Sequence, residues 1–219
     1  TEIYTLSLHD ALPIYIIGFS RGAALSREFA NMIFERGIAE FRTSYVNVSE
    51  GRNEWKREVH NIIECKPSIR FVGLFDTVGS FGIPANYIDL GIRMNLPENV
   101  RYAAHAVARD EYRAEFPLTQ LNSPKTGQHF MQKVFPGDHS DIGGGHMAEQ
   151  NLLALEPLFY IWEAGRNAGV PFGNLPFEER KILWGPYKIS YDPHDLTTDW
   201  KFRVGKKRKE LKYFDINLR

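Results

Sequence analysis

Tyr15-Ile16-Ile17-Gly18-Phe19-Ser20-Arg21-Gly22-Ala23-Ala24 is the stretch on which the reading of this chain turns. It contains Gly-x-Ser-x-Gly between an apolar lead-in and a run of small residues. That is the order of a strand, a tight turn and a helix, the nucleophile elbow of α/β hydrolases. A chain that reverses abruptly from strand to helix crowds its own backbone, and glycine tolerates both the crowding and a strained φ/ψ. The N–H groups at the start of the new helix face any anion that forms beside Ser20. The same five-residue pattern also occurs as a plain surface turn, so the rest of the chain has to decide.

The 219 residues suffice for one α/β domain, or for one domain with an appendage. Apolar residues make up 43%, enough for a sizeable core. The formal charge of zero gives no case for nucleic-acid binding. The basic run Lys206-Lys207-Arg208-Lys209 reads as a solvated loop or strand end, with an anionic lipid contact as the weaker alternative. Cys65 is alone, which excludes an intrachain disulfide and a cysteine metal cluster. No apolar run approaches the ~20 residues of a spanning helix. Residues 1–14 read as the in-frame translation of a sequencing adapter, so His9 and Asp10 are set aside as catalytic candidates. On that reading the authentic chain starts near Tyr15, inside the nucleophile strand, and the hydrolase fold is incomplete at its N-terminus.

Along the chain, residues 23–36 are expected to be helical, with Leu25, Phe29, Met32 and Ile33 on the buried face and Gly37 at the cap. Residues 42–54 read as a loop and residues 55–64 as a short helix. The near-continuous apolar run Ile69–Phe75 suits a parallel strand covered on both faces. Residues 79–95 read as loop-rich, residues 100–115 as a helix and residues 131–135 as a strand. A glycine-rich loop follows at 136–145, then a helix over 152–165. The domain expectation is an α/β hydrolase catalytic domain over 15–166 and an appendage, or the start of a further region, over 167–219.

Ser20, Asp76 and His139 fall in the chain order Ser, Asp, His, each after a strand. A serine hydroxyl needs a base, and the base works best when a carboxylate orients it. Asp76 and Thr77 can alternatively cap a turn. His146 is the second choice of base. His105 is expected mid-helix, and His60, His129 and His194 lack supporting context. Asp138 and Asp141 are rival acids, but sequence neighbours of a histidine seldom have the geometry to orient it. The backbone N–H of Arg21 is the expected oxyanion donor, with a second donor expected upstream of Tyr15. No metal or cofactor is expected: Asp138, His139 and Asp141 match no standard cation spacing, and Gly143–Gly145 is no Walker loop.

Four blocks together resemble the type VI secretion phospholipase effectors. They are Gly18–Ala23 with Arg27, Phe71–Ser80, His105–Arg113 continuing to Phe116-Pro117-Leu118, and Phe135–Gly145. The resemblance implies an α/β-hydrolase-like fold, a parallel sheet flanked by helices. It further implies a Ser-Asp-His esterase acting on glycerophospholipids through Ser20, Asp76 and His139. Also implied are a phospholipid or membrane surface, an immunity protein and a secretion-apparatus protein as partners. Localisation in the producer's cytoplasm and delivery into rival bacterial cells follow from the same likeness. Two other classes remain open: a non-catalytic module that binds a secretion partner or lipid surface, and a phosphate or nucleotide binder built on Gly143–Gly145.

Overall fold

The computed structural model describes residues 13–49, 52–80, 82–83, 86–87, 91–147, 151–176 and 179–180. The adapter-like segment up to residue 12, His194, the basic run at 206–209 and most of the expected appendage lie outside the described residues.

Strand β1 (Ile14–Phe19) leads into helix α1 (Arg21–Arg36). A long antiparallel hairpin follows, β2 (Ile38–Ser49) paired with β3 (Arg52–Glu64). Then come β4 (Ile69–Phe75), the two-residue strands β5 (Gly82–Ile83) and β6 (Asn86–Tyr87), β7 (Val100–Ala108) and β8 (His129–Phe135). A five-residue helix α2 (His139–Gly143), a 3-10 turn (Leu152–Ala154) and α3 (Leu155–Asn167) complete the order. The central sheet runs β1-β4-β7-β8, and every pair in it is parallel.

Helices cover this sheet on both faces. Val72 and Leu74 of β4 share a cluster with Ala23, Ala30 and Ile33 of α1. Phe71 of β4 and Ala104, Ala106 and Ala108 of β7 join Ile161 and Ala164 of α3. Burial from two sides explains why β4 reads as a near-continuous apolar run. It also explains β7, which was expected to be helical. Tyr-Ala-Ala-His-Ala-Val-Ala is rich in a strong helix former, but its alanines let α3 and α2 pack close to a central strand, and the packing overrides propensity.

Three further expectations change, the first being that the loop expected at 136–145 contains the helix α2. Residues 42–49 and 52–64 are neither loop nor helix but most of the β2–β3 hairpin. Phe41 and Val59, Thr43 and Arg57, and Tyr45 and Trp55 sit opposite one another on one face. Arg42 with Glu58 and Ser44 with Lys56 alternate with them on the other face. The buried face of α1 also differs. It consists of Ala23, Ala24, Ser26, Arg27, Ala30 and Ile33, while Leu25 and Phe29 are each 52% exposed. The small residues seat α1 tightly on the sheet, and a fully buried arginine occupies a position that a hydrophobic pattern assigns to solvent.

The register sets the site. Phe19 lies opposite Phe75, and Phe75 opposite Ala106. Ala108 pairs with Phe135. Ser20, Asp76 and the loop that carries His139 therefore all leave the sheet at its C-terminal edge, where open α/β sheets place their ligands. No helix among the described residues is long and apolar enough to cross a membrane.

Candidate active site

Ser20 has φ 59° and ψ −128°, a left-handed backbone held by bonds on both sides. Its N–H donates to the Phe75 carbonyl at 3.0 Å, which extends the β1–β4 pairing by one step. Its carbonyl accepts from Ala23 and Ala24 in the first turn of α1, and from Val78 in the loop after β4 at 3.3 Å. Elbow and acid loop are thus stitched together. Gly18 is required here: a Cβ would lie 2.7 Å from the Gly22 carbonyl oxygen and 2.9 Å from Ala23 Cα. Gly22 is different, with nothing within 4 Å of such a Cβ. The first N–H groups of α1, from Arg21 and Gly22, have no acceptor within the helix and open beside Ser20.

Asp76 leaves β4 with φ 36°, a second strained residue at this edge. Its N–H donates to Ala106, and its Oδ1 accepts the Ala108 N–H at 2.9 Å. The other oxygen, Oδ2, lies 2.7 Å from His139 Nδ1. Asp76 is fully buried and the His139 side chain is 5% exposed. An ionised carboxylate accepts a hydrogen bond from Nδ1–H, which leaves Nε2 as the basic nitrogen.

His139 opens α2. Asp138 caps that helix by accepting from Ser140 and Asp141, and Asp141 returns a bond to the Asp138 N–H, a reciprocal capping box. The His139 N–H donates to the buried Glu111 carboxylate at 3.3 Å. The imidazole lies between the rings of Phe19, at 4.5 Å, and Phe116, at 4.9 Å and edge-on. Gly143 makes the Phe19 contact possible, because a Cβ there would collide with the Phe19 ring.

The rival bases sit elsewhere. His105 is in β7, not in a helix, and both its nitrogens are engaged. Nε2 accepts the Thr77 N–H at 3.1 Å, so Nδ1 carries the proton that meets Gln132 Oε1 at 2.9 Å. His146 Nε2 lies 3.4 Å from Asp138 Oδ1 and 3.5 Å from Asp141 Oδ1. Those three side chains form a possible ligand group for a cation. The capping box already occupies Asp138 Oδ1 and Asp141 Oδ2 with backbone donors.

Arg27 is a residue whose role periodicity does not reveal. Fully buried, it donates to the carbonyls of Met94, Thr119 and Gln120 and to Thr77 Oγ1, over 2.9–3.1 Å. Burial pushes its pKa down to about 9, so it remains charged at neutral pH. Through Thr77, His105 and Gln132 it links α1 to the loops that follow β4 and precede β8. Its appearance six residues after Arg21 in the elbow block is the one sequence signal for it.

A catalytic-domain family described as type VI secretion system, phospholipase effector Tle1-like, matches residues 6–164. The chain belongs to this Tle1-like family. Among solved structures it is similar to an uncharacterised protein from Pseudomonas aeruginosa, with 26% identity and a TM-score of 0.52 over 80% of this chain and 26% of that one. It also matches a Tle1 effector solved bound to the VgrG spike of the type VI secretion system, with 29% identity and a TM-score of 0.37 over 59% of this chain and 24% of that one. The chain thus spans about a quarter of the length of these solved chains. No curated protein matches it.

Proposed function

We propose that this Tle1-like domain is a serine esterase that cleaves acyl esters of glycerophospholipids, with Ser20 as nucleophile, His139 as base and Asp76 as its orienting acid. The observation that carries the reading is the 2.7 Å Asp76–His139 hydrogen bond. It lies at the same sheet edge as a strained serine whose own backbone is bonded to the acid loop. In the acylation step Ser20 Oγ attacks the ester carbonyl and its proton passes to His139 Nε2. Asp76 holds the imidazolium through Nδ1–H, and the Arg21 N–H faces the oxyanion. Collapse of the tetrahedral species expels the lysolipid alkoxide, which takes the proton from His139. Water then attacks the acyl-enzyme by the same route, releases the fatty acid and restores Ser20.

Family membership supports phospholipid as the substrate class. It likewise supports delivery from the producer's cytoplasm into target cells, with a secretion-apparatus protein and an immunity protein as partners. The second reading, a non-catalytic module of the same fold, draws on the exposed aromatic face of the β2–β3 hairpin, which suits a partner or lipid surface. Labelling with a fluorophosphonate separates the two. Covalent adduct formation at Ser20, abolished by Ser20→Ala and by His139→Ala, is expected of the esterase. An unlabelled, folded chain that also fails to release fatty acid from phospholipid vesicles sinks it.

A further inference from the structure

The side chain of Arg21 makes contacts of its own, separate from the backbone N–H beside Ser20. Nε donates to the Ser80 carbonyl at 2.9 Å. The guanidinium carbon lies 5.7 Å from the centre of the Phe116 ring, and that ring packs edge-on against His139. The side chain of the residue after the nucleophile therefore lies beside the ring that packs against His139.

A second arginine shares the same ring, with Arg113 Cζ 3.9 Å from the Phe116 centre. The two differ in charge balance. Arg113 is bound to Glu111 through both carboxylate oxygens, at 2.6 and 2.9 Å, and Glu111 is buried. That cation is neutralised in place. Arg21 is exposed and has no carboxylate partner among the described residues. One carbonyl and one aromatic ring orient it, and its two Nη groups have no hydrogen-bond partner among the described residues. A planar guanidinium held this way is a preorganised fork for a tetrahedral or planar anion.

We infer that the Arg21 side chain is a specificity determinant, binding the phosphodiester of the substrate while the acyl carbonyl sits between Ser20 Oγ and the Arg21 N–H. In a glycerophospholipid the three-carbon glycerol separates these two groups, and Arg21 supplies a cation from the residue next to the nucleophile. A neutral diacylglycerol offers the carbonyl without the anion. A fatty-acid product offers a carboxylate in place of the phosphate. The inference rests on the Ser20 esterase reading, and its test is separable from that reading.

The test measures equilibrium binding to the Ser20→Ala chain by calorimetry, so that ligands stay intact. The ligands are dihexanoyl glycerophosphocholine, dihexanoylglycerol and hexanoate, all below their aggregation limits. Adding Arg21→Gln is expected to lower the preference for the phosphodiester over the neutral glyceride by about tenfold or more, the usual scale for a lost charge-assisted contact. Arg21→Lys, which keeps the charge but not the fork, is expected to restore part of it. An unchanged preference overturns the inference, and so does absence of phosphodiester binding. Equal weakening of both glycerides assigns Arg21 to bracing the Ser80 loop and also overturns it. A dependence on Arg21 seen for hexanoate but not for the phosphodiester does the same. Hydrolysis of dihexanoyl glycerophosphocholine by the Ser20 chain is measured separately. If it is absent while the preference holds, the esterase reading fails and the anion site stands.

Discussion

Asp76 and Arg27 are both fully buried and charged, and they solve that problem differently. Asp76 spends its oxygens on one backbone N–H and one imidazole, so the buried carboxylate is satisfied where it is useful. Asp76→Asn keeps the shape but offers one acceptor and one amide donor. The Ala108 N–H and the His139 Nδ1–H then compete for a single oxygen, and the tautomer that leaves Nε2 basic is lost. Turnover is expected to fall by about 10⁴ with little change in KM, as steady-state kinetics on a short-chain phospholipid would show; a loss under tenfold would remove Asp76 from the mechanism. Arg27 has no carboxylate beside it among its hydrogen-bond partners, which are three carbonyls and a hydroxyl. Arg27→Met fills similar space and leaves all four acceptors without a donor. Each buried orphan costs about 1–3 kcal/mol, so urea unfolding is expected to show at least about 3 kcal/mol of destabilisation. A change below 1 kcal/mol would mean that water replaces the guanidinium.

At the scale of elements, α2 has only five residues, yet it positions His139. A helix this short has too few internal bonds to hold its own position. Its capping box, the Glu111 bond and the close approach of Gly143 to Phe19 do that instead. Gly143→Ala must push Phe19 or the helix aside, and the Phe19 ring packs against His139 at 4.5 Å. The expected result is about 1–3 kcal/mol of overpacking strain and a loss of turnover beyond tenfold, because misplaced catalytic geometry is penalised steeply. Melting curves and kinetics check both, and wild-type turnover in this variant would detach α2 from the site. What the sequence made legible follows the same division. β4 matches its expected span residue for residue, because burial on two faces writes a continuous apolar run. The pairing of Asp76 with His139 was legible from chain order and from where strands end. β7 was not, since alanine-rich segments carry helical propensity and only the packed helices make them a strand. Nor was the role of Arg27, because arginine in a helix pattern reads as the solvated face, and nothing local announces three carbonyls waiting in the core.

Over the whole molecule, at least two surfaces among the described residues remain apolar after the cores are filled. One lies on α1, where Leu25 and Phe29, one turn apart, are each 52% exposed. The other is the hairpin, where Phe41, Tyr45, Trp55 and Val59 share a face and Trp55 is 72% exposed. On that face Tyr45 and Trp55 rings meet at 4.9 Å, and Arg57 covers Phe41 at 4.0 Å. These contacts hold the face together without covering it, and a two-stranded ribbon alone is marginal in water. Contiguous exposed aromatics of this kind drive association. Light scattering coupled to size exclusion is therefore expected to show concentration-dependent self-association of the chain. Replacing Tyr45 and Trp55 together by threonine keeps strand preference while removing the aromatic pair, and is expected to shift the distribution toward monomer. Because the hairpin is a separate sheet from β1-β4-β7-β8, the same double substitution is expected to leave fluorophosphonate labelling of Ser20 at the unsubstituted rate. If association persists unchanged, the α1 surface is its seat, and Leu25→Lys with Phe29→Glu becomes the pair that abolishes it.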